Sequence, residues 1–202
     1  GRIIAGVLPK TSGKVSIEGK QIDASIGDAV SKGISLITSS RAEEGLFMEL
    51  SVRENLFPNL KARGSNPFSL IRKAREKISA RDINEKFNVK PRATELAIAT
   101  LSGGNQQKVT IGRWVTTGFD LLLCFDPTRG IDVGTKQQIY ELLRNFANQG
   151  KSVLLFTSEL REVQLACDRA IVIYEGKVQA ELSVDRCDEE TLLNAAHGKL
   201  VS

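Results

Sequence analysis

Near-continuous apolar runs alternate with amphipathic stretches through the second half of the chain. Leu121 to Phe125, Val153 to Thr157 and Ala170 to Tyr174 have the unbroken hydrophobic character of strands buried in a parallel sheet. Between the first two, Ile139, Leu142, Leu143 and Phe146 follow the i, i+3, i+4, i+7 spacing of an amphipathic helix, and Gly150 marks its end. Leu160, Val163 and Cys167 predict a shorter helix before the third run. This alternation predicts an open, mainly parallel α/β sheet with right-handed crossovers. Upstream, Lys14 to Glu18 and Ile34 to Thr38 read as short strands, with Gly13 and Gly19 bracketing the first. The middle reads as mostly helical. Ser51 and Glu54 have the spacing of a capping box, and Arg72 to Phe87 carries Ala74, Ile78 and Phe87 among charges. Pro58, Pro67 and Pro91 divide this middle section. The expected organisation is therefore residues 1–50, a helical subdomain at 51–100, and a third part at 101–202.

At 202 residues, 41% hydrophobic and 26% charged, the chain has enough apolar material for a core and too much for disorder. Its apolar runs are too short to span a bilayer, and no basic segment followed by a long apolar stretch reads as a secretory signal. Cys124 lies in an apolar run and reads as a core residue. With Cys167 and Cys187 it shows no metal-ligand spacing, which suits a reducing compartment. The net charge of +4 is concentrated between Lys61 and Arg92, where ten Lys or Arg face three acids. That segment is either a solvated helical face or a surface for an anionic partner such as lipid headgroups. Aromatics do not interleave with the charges, so no nucleic-acid partner is expected.

The chemistry concentrates at Leu101-Ser102-Gly103-Gly104-Asn105-Gln106-Gln107-Lys108-Val109. A glycine turn leading into a helix lets backbone approach a ligand, and the free N–H groups of the helix start favour a phosphate. Taken alone, Ser-Gly-Gly is better read as a glycine turn with a capping serine. The full string resembles the signature motif of ATP-binding-cassette (ABC) ATPases, in the form found in carbohydrate importers. Leu121 to Thr128 is similar to that family's Walker B strand, and Arg129-Gly130-Ile131-Asp132 to its D-loop. Ile3 to Lys20 resembles the segment after the phosphate-loop helix, and Glu44 to Asn55 the entry to the helical subdomain. The resemblance covers nearly the whole chain. It implies a P-loop-NTPase-like ABC core with an inserted helical subdomain, corresponding to the second nucleotide-binding half of a monosaccharide importer.

The pattern departs from the family at the nucleotide cradle. A phosphate loop needs G-x-x-x-x-G-K-[ST] between strand and helix. Gly6 to Lys14 has the wrong spacing, and Gly150-Lys151-Ser152 leads from helix into strand, so Gly150 reads as a helix cap. The family's Walker A and first strands would precede Ile3, so the expected fold lacks them. By alignment, Phe125 replaces the aspartate that holds Mg²⁺ through water, and a phenyl ring accepts no such bond. Asp126 takes the position of the catalytic glutamate, one methylene short. Ser158 takes that of the switch histidine, and serves either as a phosphate donor or as an N-cap of the following helix. Ser39 takes the Q-loop position, with Arg41 nearby as a polar contact. His197, the only histidine, reads as a surface residue.

The resemblance implies a division of labour. Family cassettes pair head to tail, and each ATP is clamped between one Walker A and the other's signature. Ser102, Gly103, Gly104, Asn105 and Gln106 would close over ATP, with its Mg²⁺, held by a partner nucleotide-binding domain, and Asp132 would line the seam. The expected further partners are transmembrane permease subunits and, indirectly, a sugar-binding protein, with the chain peripheral on the cytoplasmic face of the membrane. The isolated chain is expected to be inactive. The alternatives are a non-hydrolysing regulatory half-cassette and a soluble cassette ATPase of chromosome or translation work.

Overall fold

The computed structural model describes residues 1–23, 25–58 and 73–199. The expected start of the middle helix at Arg72, the break at Pro67 and the charges at Lys61 and Arg63 lie outside these residues. A parallel sheet holds the centre. It comprises β3 (Ile34–Ile37), β4 (Leu121–Phe125) and β5 (Ser152–Phe156), in that order, with Ile34 opposite Leu121 and Phe125 opposite Phe156. Alternate β4 residues feed opposite sides, as the pleat requires. Leu122 and Cys124 enter the larger apolar core, while Leu123 packs with Ala5, Ala29 and Ile34 in a second one. Ahead of the sheet, β1 (Ser16–Ile17) and β2 (Lys20–Gln21) form a small antiparallel hairpin, followed by α1 (Ile26–Ser31).

The larger core joins the sheet to α2 (Val52–Leu56), α3 (Lys73–Lys86), α4 (Gly103–Thr117) and α5 (Val133–Asn148). The capping box at the start of α2 forms as expected: Ser51 Oγ accepts from the Glu54 N–H, and the Glu54 carboxylate accepts from the Ser51 N–H. On α3 the buried face differs from the sequence reading. Ala74 and Ile78 face solvent, whereas Glu76, Ala80 and Asn84 point inward. Glu76 is buried because Arg53 of α2, itself only 5% exposed, donates to it at 2.8 Å and to Glu95 at 3.0 Å. Ala80, Ile83 and Phe87 pack into the larger core from this same face, so the ion pair and a short apolar stripe together set the rotation of α3.

Helix α4 is anchored along its length. Lys90 N–H donates to Asn105 Oδ1 at 2.9 Å, and Lys108 Nζ donates to the Asn88 carbonyl and to Gln138 of α5. The Arg113 guanidinium donates to the Asn55 and Gly45 carbonyls. Burial lowers the pKa of both cations, Arg113 to about 10.

Helix α5 follows the expected register, with Ile139, Leu143 and Phe146 buried, Tyr140 added, and Gly150 past its end at φ +79°. A further helix, α6 (Leu160–Ala166), forms where expected. The third apolar run departs from expectation. It forms β6 (Arg169–Tyr174), paired antiparallel with β7 (Lys177–Ser183) rather than parallel within the main sheet. The Glu175-Gly176 connection allows only a hairpin. One face, with Ala170 and Val172, packs near Leu192 of α7 (Glu189–Ala196), while Ile171 and Ile173 are 48% and 62% exposed. Cys124 is fully buried, and burial raises its thiol pKa; Cys167 is pushed up to about 11. His197 is exposed at the end of α7.

Candidate functional site

The chain enters α4 through a 3-10 turn (Ile98–Thr100) and a buried Leu101, leaving Ser102 exposed at the N-cap position in extended backbone. Ser102 does not cap the helix with its side chain. Its Oγ instead accepts from Asn105 Nδ2 at 2.9 Å, which leaves the hydroxyl hydrogen free to be donated elsewhere. The Gln106 amide is fixed: Nε2 donates to the Leu101 and Ile98 carbonyls, and Oε1 accepts from Arg41 Nε at 3.3 Å. Packing within the chain is tight at both glycines, and at Gly104 the neighbour is the short, branched Thr135 side chain. A Cβ on Gly103 would lie 2.4 Å from Arg41 Nη2, and one on Gly104 would lie 2.4 Å from Thr135 Cγ2.

Through Thr135 the start of α4 meets the start of α5. Asp132 is the N-cap of α5 and accepts from the Thr135 N–H at 2.9 Å. The Thr135 backbone N–H and hydroxyl hold its carboxylate below the usual range. The fold thus brings Ser102 to Gln106 close to the turn ending in Asp132.

A second group gathers at the C-terminal ends of β4 and β5. Asp126 sits at φ +39°, its N–H bonded to the Phe156 carbonyl, and Asp126 Oδ1 accepts from the Ser158 N–H at 3.3 Å. With Thr128, Arg129, Ser158, Glu159 and Glu162 it lines a polar pocket of about 400 Å³. Ser158 is exposed and is not the N-cap of α6. Glu159 holds that position, and its N–H is taken by Thr157 Oγ1 at 3.0 Å. Lys136 of α5 pairs with Glu159 at 2.5 Å. Ser39 lies in the bend after β3 and is not among the residues lining this pocket.

Phe125, the last residue of β4, stacks on Phe156 with ring centroids 4.3 Å apart and planes 6° from parallel. Gly1 lies against both rings. This pair offers no oxygen to a cation, and among the described residues no three His, Cys, Asp or Glu side chains gather to hold a metal ion. The residues present fit a phosphate group at the start of α4; they do not fit a magnesium ion beside Phe125.

Two contributors escaped the sequence reading, and a third was noted only in passing. Glu162, 2% exposed, accepts from Tyr140 OH at 3.0 Å and from the Thr128 hydroxyl, while its other oxygen has no partner among the described residues. In sequence it resembles any polar residue on a short helix. The Lys136–Glu159 pair spans two helices and has no local signature. Arg41 stood out only as a nearby polar contact, yet it reaches both Gln106 and the Arg129 carbonyl.

The profile described as ABC transporter matches residues 2–129, and the chain belongs to that family. It is 40% identical over 197 residues to the ribose import ATP-binding protein RbsA of Geobacillus kaustophilus, covering 96% of this chain and 40% of that protein. It is 39% identical over 200 residues to the protein of the same name from Bacillus cereus, covering 98% and 40%. The chain therefore spans 40% of the length of these relatives. Among solved structures, a nucleotide-free ATP-binding cassette from an ABC transporter aligns with a TM-score of 0.77 at 24% identity, over 97% of this chain and 78% of that one. The dimeric post-hydrolysis state of the ATP-binding cassette MJ0796 bound to ADP and Pi aligns at 0.74 and 23%, over 91% and 78%. These likenesses establish an ABC ATPase fold.

Proposed function

We propose that this chain is an ATP-binding component of a carbohydrate importer, whose 202 residues supply the signature side of a composite ATP site and do not hydrolyse ATP alone. The observation that carries this reading is the contrast between two places. At the start of α4, the Ser102 hydroxyl has a hydrogen to donate, and the first-turn N–H groups have no side-chain cap. At the end of β4, a stacked pair of phenyl rings stands where the family holds its magnesium aspartate. The first place suits a terminal phosphate presented by another molecule. The second gives no metal-dependent step to this chain.

In this reading Ser102, Gly103, Gly104, Asn105 and Gln106 face ATP held by a partner cassette, and Asp132 lies along the shared seam. Asp126 and Ser158 occupy the hydrolytic positions in weakened form. The names of the RbsA relatives support ribose or a similar monosaccharide as the cargo class. Residues 51–100 serve as the helical subdomain that faces permease subunits on the cytoplasmic side, with a sugar-binding protein acting across the membrane. Among the described residues no helix is long and apolar enough to cross a membrane, so membrane association in this reading runs through those subunits. The Phe125–Phe156 stack also favours a second reading, a purely regulatory half that never takes part in turnover.

The test mixes the chain with a cassette that carries its own phosphate loop and a disabled catalytic base. Light scattering should show pairing that requires Mg·ATP and weakens in Ser102→Ala, and the chain alone should release no phosphate above background. Robust hydrolysis by the chain alone that disappears in Ser102→Ala would overturn the composite-site proposal. Pairing that leaves the hydrolysis rate of a competent partner unchanged would select the regulatory reading.

A further inference from the structure

Arg41 opens a single π turn (Arg41–Gly45) that follows β3 after the short bend through Ser39. Its half-buried guanidinium reaches two other segments. Nε donates to Gln106 Oε1 at 3.3 Å, and Nη1 donates to the Arg129 carbonyl at 3.0 Å. Nη2 occupies the space that a side chain on Gly103 would fill. The carboxylates beside it in sequence are engaged elsewhere: Glu43 accepts from the Ser40 hydroxyl, and Glu44 pairs with Arg2. The acceptors are equally committed. Gln106 turns its oxygen to Arg41 because its nitrogen is spent on two backbone carbonyls, and the Arg129 carbonyl belongs to the turn before Asp132. A planar guanidinium has several donors fixed in one plane and can hold two such acceptors at once, which a lysine ammonium on a flexible stem does less well.

We propose that Arg41 is a positioning residue. It locks the start of α4 and the turn at Arg129–Asp132 to the segment after β3, so that the three move as one unit when a nucleotide is clamped. The inference rests on the composite-site reading for its functional consequence, but the lock itself is a property of the lone chain.

Amide hydrogen exchange of the 202-residue chain tests the lock without any ligand. Arg41→Gln should raise exchange several-fold in peptides covering residues 102–106 and 128–132 together, with residues 139–146 of α5 unchanged. Arg41→Lys should release at least one of the two segments. A uniform rise across all peptides, or no rise in either segment, overturns the lock. The functional arm uses Mg·ATP-driven pairing with the base-disabled cassette. Arg41→Gln should raise the half-saturating ATP concentration about tenfold, the cost of misaligned charge-assisted contacts, while the chain's Tm moves by less than about 4 °C. An unchanged half-saturation beside a large Tm drop reduces Arg41 to a stabilising residue and overturns the positioning role. If the wild-type chain fails to pair at all, the composite-site reading falls, while the exchange result still decides the lock.

Discussion

The carboxylate of Asp126 accepts a hydrogen bond from the backbone N–H of Ser158, joining the ends of β4 and β5 across the polar pocket. Asp126 holds this contact from a left-handed backbone conformation, φ +39°, which Asp and Asn tolerate better than other side chains. Asp126→Asn keeps both the acceptor and that tolerance, and urea unfolding should place it within about 0.5 kcal/mol of wild type. Asp126→Ala loses both and should cost about 1–2 kcal/mol. Asp126→Gly, which loses the bond alone, should fall between them. Equal costs for Ala and Gly would show that backbone strain plays no part.

Glu162 gives a prediction about non-additivity. Its Oε1 accepts from both Thr128 and Tyr140, tying the turn after β4 and helix α5 to α6. Thr128→Val and Tyr140→Phe should each cost about 1–2 kcal/mol, because one donor remains in each case. The double variant strips a buried carboxyl of both partners and should exceed the sum of the singles by about 1 kcal/mol or more. Additive losses in denaturant titrations would mean that the hydroxyls do not share Glu162.

Acid stability should report on the Arg53 cluster. The Ser51 hydroxyl and N–H hold Glu54 below its ordinary pKa of 4.5, and Arg53 does the same to Glu95. A carboxylate whose folded pKa is depressed contributes stability that is present above its unfolded value. That contribution is lost as pH falls through the folded value. The chain should therefore lose stability below about pH 4.5, the ordinary glutamate value. Arg53→Met should flatten this slope, because the largest influence on Glu95 is removed, and should lower stability at neutral pH by leaving Glu76 buried without that partner. An unchanged acid slope in Arg53→Met would show that the cluster does not couple to folding.

The tight approach of α4 to α5 predicts a rescue. Gly104→Ala forces a Cβ into Thr135 Cγ2 and should cost about 1–3 kcal/mol. Thr135→Ser removes that methyl and keeps the hydroxyl, so the double variant should recover part of the loss. No recovery in thermal melts would mean that the Thr135 Cβ and hydroxyl, which serine keeps, resist the change rather than the methyl.

Much of this architecture was legible because local rules and the fold agree. The apolar runs at Leu121 and Val153, the Ile139–Phe146 periodicity, the Gly150 cap and the Ser51 capping box each carry their own physical signal. Ala170–Tyr174 misled because continuous hydrophobicity reports burial but not the pairing partner. The Glu175-Gly176 turn held the missing information, since two residues can only reverse a strand. The rotation of α3 was not legible because its buried face mixes Ala80, Ile83 and Phe87 with Glu76, whose burial depends on a long-range ion pair from Arg53. At the candidate site, the motif singled out the 102–106 string and Asp132 as candidates. The contacts of Arg41 and Glu162 join residues far apart in sequence, where no period or spacing points to a partner.

The stacked pair Phe125 and Phe156 supports the last prediction. Their positions face each other in the β4–β5 register, so the stack follows from pairing two large flat side chains on neighbouring strands. Both rings are half-buried, so truncating either to Ala should cost about 1–3 kcal/mol, less than for a fully buried ring. A double-mutant cycle should leave about 0.5–1.5 kcal/mol for the ring–ring contact itself. Phe125→Asp should be worse than Phe125→Ala, because it sets a carboxylate against the Phe156 ring with no cation to meet it. Adding Mg²⁺ should leave the melting temperature of Phe125→Asp unchanged, since the nearest carboxylate, Asp126, is already turned toward Ser158. A Mg²⁺-dependent rise in that variant's Tm would show that one substitution recreates a metal site, and that the aromatic ring alone keeps the ion out.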